Sequence, residues 1–119
     1  MGLFGRRPKP DAAGYYASGA AAAAVVEGAL LPVRIAGREI LLTRVANELY
    51  AFARRCPHAA GDLCAGGIHR GRVTCPDHGY KFDVATGRLI WPPDELYRLI
   101  RHDVRVVGEL VYVRLATAC

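Results

Sequence analysis

The stretch RRCPHAAGDLCAGGIHRGRVTCPDHGYKFD, residues 54–83, contains two short segments built alike. Cys56-Pro57-His58 and Cys75-Pro76-Asp77-His78 each offer a thiol, then a proline that restricts the backbone, then an imidazole. Sixteen residues separate His58 from Cys75. Four cysteines in a short chain fit either a disulfide scaffold or a metal site, and the mixed Cys and His order favours the metal. Gly61, Gly66, Gly67 and Gly79 punctuate the same stretch, where backbone must turn sharply and amide N–H groups can approach a negatively charged centre.

Outward from this loop-rich insert, taken as about residues 54–87, the text is β-like. Val33–Ile35, Ile40–Val45 and Leu49–Ala53 precede it, separated by turns at Ala36-Gly37 and Ala46-Asn47. Val104–Val107 and Leu110–Leu115 follow it, joined at Gly108-Glu109 as a closing hairpin. Within the insert, Arg72–Thr74 and Lys81–Val84 read as short strands. The pattern predicts an all-β fold, a small antiparallel sandwich or barrel with one loop-built site. The alanine-rich run Ala20–Val26 reads as one or two helical turns or as a covering segment. Residues 1–14, rich in Gly, Pro and charge, read as a flexible leader, and 15–119 as one domain.

The chain has 119 residues, room for one domain that buries about two thirds of its surface. Hydrophobic residues at 52% and charged residues at 23% exclude a disordered or collagenous chain. Sixteen Lys and Arg against eleven Asp and Glu leave +5, spread without a continuous block. That bias fits an acidic protein partner and not nucleic acid. No apolar run approaches the roughly 20 residues of a membrane span. Arg6-Arg7 is followed by Pro8 and Pro10 rather than by an apolar export segment, so a cytoplasmic location is expected.

His78 is followed by Gly79-Tyr80-Lys81-Phe82-Asp83 and Thr86-Gly87, and Cys56-Pro57-His58 by Gly61, Leu63 and Gly66. With these flanks the sequence resembles the Rieske [2Fe-2S] family over about residues 28–115. The resemblance implies a Rieske-type [2Fe-2S] cluster, with Cys56 and Cys75 on one iron and His58 and His78 on the other. Each loop then contributes to both irons, so the cluster clamps the loops together. A structural Zn2+ held by the same Cys2His2 set is the alternative that the residues alone leave open.

High-potential members of the family carry a further cysteine in each loop, joined as a disulfide, where Gly61 and Asp77 stand here. They also place a Ser and a Tyr that donate to sulfur where this chain has Tyr80 and Phe82. Loss of those donors predicts a potential near the roughly −150 mV end of the Rieske range. Cys64 reads as a small buried side chain, Cys119 as a terminal thiol, His69 as surface and His102 as a polar strand-edge residue. Trp91-Pro92-Pro93 resembles the proline-bearing loop that covers the cluster, or is a plain turn.

The resemblance implies a one-electron carrier, a ferredoxin that takes electrons from a flavin-dependent reductase and passes them to an oxygenase or a similar reductase. Arg54, Arg55, Arg70 and Arg72 are candidates for orienting such partners. The small Rieske-like subunit of an assimilatory nitrite reductase is the alternative. An electron-transfer protein rather than a stand-alone catalyst is expected. A self-contained oxygenase needs a second iron held by two His and a carboxylate, and only His69 and His102 are spare.

Overall fold

A computed structural model of the chain describes residues 9–117. The leader's residues 1–8 and Cys119 lie outside that range, while Asp11–Gly14 form a turn leading into the first strand. The Asp11 side chain accepts from the amides of Ala13 and Tyr15, both at 2.9 Å, and pairs with Arg105.

Ten strands follow: β1 (Tyr15–Ala21), β2 (Leu30–Ile35), β3 (Arg38–Val45), β4 (Glu48–Ala53), β5 (Ile68–His69), β6 (Arg72–Thr74), β7 (Lys81–Asp83), β8 (Leu89–Trp91), β9 (Arg101–Val107) and β10 (Leu110–Arg114). A single helical turn, α1 (Leu63–Gly66), lies between β4 and β5. The larger sheet runs β1-β10-β9-β4-β3-β2 and the smaller β5-β6-β7-β8, each antiparallel between neighbours. The first is a nearly closed sheet, so the all-β antiparallel expectation holds.

The two-residue turns follow from backbone chemistry. Ala36 (φ 50) and Gly37 (φ 81) link β2 to β3, and Ala46 (φ 50) and Asn47 (φ 69) link β3 to β4. Positive φ at both central residues matches the twist of tight hairpins.

The middle of β3 is buried on both faces. Ile40 and Leu42 point into the six-stranded sheet with Ala51, Val111 and Val113. Leu41, with Phe52 from β4, points the other way, into a second core containing Leu63, Val73, Phe82, Val84 and both Cys56 and Cys75. A continuous apolar run is what a strand covered on two sides requires. The loop-rich insert, extended by β8 beyond residue 87, is therefore a four-stranded layer seated on the outer face of β3 and β4, and the two cysteines are part of its core.

Two expectations are corrected. Of the alanine-rich region, read as one or two helical turns or a covering segment, Ala22–Ala24 do make one helical turn, of 3-10 type, but its first residues, Ala20 and Ala21, end β1. Strand pairing with β10 overrides helix propensity, with Ser18 Oγ donating to the Val111 carbonyl at 2.6 Å and a bulge at Gly19 (φ 80). His102 is not at a strand edge, because β9 lies between β10 and β4. Its ring is buried, Nδ1 accepts from the Ala116 amide at 2.9 Å, and burial, aided by Arg38, lowers its pKa to about 4.

Candidate metal centre

Two loops, residues 56–61 after β4 and 75–80 between β6 and β7, close with the same pair of hydrogen bonds. In the first, the Cys56 amide donates to the Gly61 carbonyl at 2.8 Å and the Ala60 amide to the Cys56 carbonyl at 2.8 Å. In the second, the Cys75 amide donates to the Tyr80 carbonyl at 2.7 Å and the Gly79 amide to the Cys75 carbonyl at 2.9 Å. The fourth residue after each cysteine has left-handed backbone, Ala60 at φ 57 and Gly79 at φ 75. Thus the similar Cys-Pro openings fold into one repeated frame.

The donors meet in like pairs. Cys56 and Cys75 are buried in one core cluster. Burial raises the Cys56 pKa, as does the neighbouring Cys75 thiol, while the amides of His58 and Ala59, which donate to its sulfur, pull it down. Those amides would also favour a thiolate on a metal. The His58 and His78 rings lie 5.0 Å apart between centroids at 86°. Among the described residues, no three His, Cys, Asp or Glu side chains gather as a single-ion site needs. Two thiols together and two imidazoles together suit a two-iron centre better than one tetrahedral Zn2+.

His58 Nδ1 is buried and has no hydrogen-bond partner. A buried imidazole nitrogen without a partner is costly unless something else occupies its lone pair, and an iron would. Glycine keeps the space clear. A Cβ on Gly61 would stand 2.7 Å from Cys75 Sγ, and one on Gly66 would stand 1.6 Å from the Thr74 carbonyl oxygen. The residues present fit a cluster with two cysteine and two histidine ligands.

Around the rings, the Tyr80 phenol stacks on His58 at 3.7 Å and 13°. Its hydroxyl donates to Glu95 Oε1 at 3.0 Å, so it is engaged away from the sulfur atoms. Phe82 is fully buried and has no hydroxyl. Tyr97 meets the edge of His58 at 5.4 Å. Glu95 and Tyr97 both come from the segment after Pro93, which thus covers the His58 side. His78 is exposed beside a cleft of about 500 Å³ lined by Gly79, Lys81, Ile90 and Trp91.

Other singled-out residues stand apart. Cys64 is half-buried against the insert core, and its amide donates to Asp62 Oδ1 at 3.0 Å. His69 is exposed on β5, opposite Arg72. Arg54 is held by Asp62 at 2.8 Å and Glu39 at 3.4 Å, and Arg70 and Arg72 sit at the turn end of β5 and β6, away from Cys75. Sequence reasoning missed Tyr80 as a cover for His58, along with Glu95 and Tyr97; the fifth position after each cysteine, Gly61 in one loop and Tyr80 in the other, is the signal that marked it.

The profile of the Rieske [2Fe-2S] domain matches residues 16–99, starting earlier than the sequence resemblance did because it takes in most of β1. The chain belongs to the Rieske [2Fe-2S] domain family, and its cofactor is a Rieske-type [2Fe-2S] cluster, a one-electron carrier. It is 32% identical over 92 residues to the ferredoxin component of the naphthalene 1,2-dioxygenase system of Pseudomonas aeruginosa, covering 77% of this chain and 88% of that one. Human apoptosis-inducing factor 3 is 37% identical over 87 residues, 73% of this chain, but the chain spans only 14% of that protein's length. A solved complex of reduced oxygenase and oxidized ferredoxin in carbazole 1,9a-dioxygenase contains a chain similar in structure, with a TM-score of 0.70 and 29% identity. The match covers 79% of this chain and 87% of that one. No helix among the described residues is long and apolar enough to cross a membrane.

Proposed function

We propose that Cys56 and Cys75 hold one iron and His58 and His78 the other, and that the chain is the ferredoxin of an oxygenase system. It takes electrons singly from a flavin-dependent reductase and delivers them to a terminal oxygenase. The observation that carries this reading is the buried His58 Nδ1 without a hydrogen-bond partner, with the His78 ring 5.0 Å from the His58 ring and both cysteines buried in one core. The match over 88% of a dioxygenase ferredoxin supports the choice of partner class.

When bound, the cluster would supply one-electron chemistry. The chain's residues do the rest. The two loops fix the ligands from a rigid core, and the exposed His78 brings one ligand ring to the surface, where a partner can approach. Two neutral imidazoles raise the potential above that of an all-cysteine cluster, whereas Tyr80, bonded to Glu95, and Phe82 leave the sulfur atoms without side-chain hydroxyl donors. A redox titration is expected to give a midpoint near roughly −150 mV, and one above about +100 mV would contradict the reading of these two residues. Turnover of a terminal oxygenase fed by reductase and NADH should require this chain; turnover independent of it would remove the carrier role. We place its work in the cytoplasm, on its likeness to the ferredoxin component of a dioxygenase system.

A further inference from the structure

The repeated loop frame puts two different residues in equivalent places. The fifth residue after the cysteine is Gly61 in the first loop and Tyr80 in the second, and each carbonyl closes its loop on the cysteine amide. Gly61 carries nothing that covers a ring, and a side chain there would collide with Cys75 Sγ. Tyr80 crosses to the other loop and lies flat on His58. The consequence is an unequal pair, with His58 half-buried beneath an aromatic and His78 exposed.

Of the aromatic rings that meet His58, Tyr80 lies nearest and is the one stacked on it. The buried Nδ1 of His58 has no hydrogen-bond partner, so no polar contact sets the angle at that atom. Beside the stacked Tyr80 ring at 3.7 Å stand the near-perpendicular rings of Tyr97 at 5.4 Å and His78 at 5.0 Å. Tyr80 is itself fixed, by its backbone bond to Cys75, by its hydroxyl on Glu95 at 3.0 Å, and by burial to 8% exposure.

We propose that Tyr80 is a positioning residue: by stacking on His58 from the opposite loop it sets the plane in which Nδ1 faces the metal site and keeps water off that ring, leaving His78 as the one solvent-facing imidazole of the pair. This rests on the assignment of His58 as an iron ligand. Aromatic stacking, not the hydroxyl, carries the effect.

The test uses the cluster-loaded full chain, reduced with dithionite, and compares wild type with Tyr80→Phe and Tyr80→Leu by pulsed EPR of the ligand nitrogens. Tyr80→Phe keeps both nitrogen couplings of the wild type. Tyr80→Leu shifts or broadens one coupling and leaves the other alone, and it loses its cluster to a chelator about tenfold faster. Should Tyr80→Leu not load, Tyr80→Met, which fills the space with a flexible chain, takes its place with the same expectation. Both couplings unchanged in the non-aromatic variant, whatever its melting temperature, overturn the proposal, as does a Tyr80→Phe protein that behaves like it. Wild type with iron and sulfide but no nitrogen coupling instead defeats the ligand assignment beneath it.

Discussion

Loop 56–61 and loop 75–80 share a hydrogen-bonded frame, a cysteine-proline opening and a left-handed fourth position, but they fill that frame differently. The first presents its histidine two residues after the cysteine and closes on Gly61; the second presents it three residues after and closes on Tyr80. One imidazole is consequently covered and the other open. On the proposed ligand assignment, the frame would provide two equivalent grips on the metal, while the side chains hung on it decide which ring a partner can reach. High symmetry in the backbone and low symmetry in the side chains suit a carrier that must hold its cluster firmly and still expose one edge.

Removing a ligand from either loop should have the largest effect, and by the same amount. Cys75→Ser or His58→Ala should abolish the brown colour and bring iron and acid-labile sulfide in the purified chain close to zero, as should His78→Ala. A His78→Ala protein that stays fully loaded would break the equivalence of the grips.

Next in size are the glycines that make room. Gly66→Ala drives a Cβ into the Thr74 carbonyl, a backbone atom that has no rotamer to escape into, and should cost about 3 kcal/mol or more in denaturant unfolding. Gly61→Ala meets Cys75 Sγ and the Asp77 carboxylate, so its loss should appear first as poor cluster loading. Normal loading of Gly61→Ala would show that the loop yields more readily than its contacts imply.

Smaller and unequal effects separate the fourth positions. Gly79→Ala puts a side chain at φ 75 and should lose about 1–2 kcal/mol. Ala60→Gly relieves the same strain at φ 57, against a greater entropy cost of ordering glycine, and should change stability by less than about 1 kcal/mol. Equal responses from the two substitutions would mean that the frames differ more in solution than their hydrogen bonds indicate.

An effect confined to acid pH lies outside both loops. His102 is held neutral, with its pKa lowered to about 4 chiefly by burial, so between that value and about 6.5 the unfolded chain binds the proton and the folded chain does not. Its contribution is complete above pH about 6.5 and is lost as the pH falls towards 4. His102→Gln should flatten that part of the stability profile measured by denaturant titration; an unchanged slope would assign it to other groups.

The sequence revealed the chemistry more fully than the scaffold. Cys-Pro-His in one loop and Cys-Pro-Asp-His in the other, with the glycines around them, marked the four candidate donors, and tight turns at Ala36-Gly37 and Ala46-Asn47 marked β2 to β4, because both signals are local. β1 was hidden because alanines favour helix and only pairing with β10, some ninety residues on, makes the segment a strand. His102 was misread from its charged neighbours, although alternation along β9 sends Arg101 and Asp103 outward and the histidine inward. The stacking of Tyr80 on His58 depends on how two loops twenty residues apart are brought together by the core around Leu41, Phe52 and Phe82, which no local pattern carries.

The central claim is most directly tested by nitrogen couplings in the reduced, cluster-loaded protein. Two distinct histidine nitrogens bound to one iron are expected, in a chain holding two irons and two sulfides. A reduced cluster with no nitrogen coupling, or zinc in place of iron and sulfide, would contradict it.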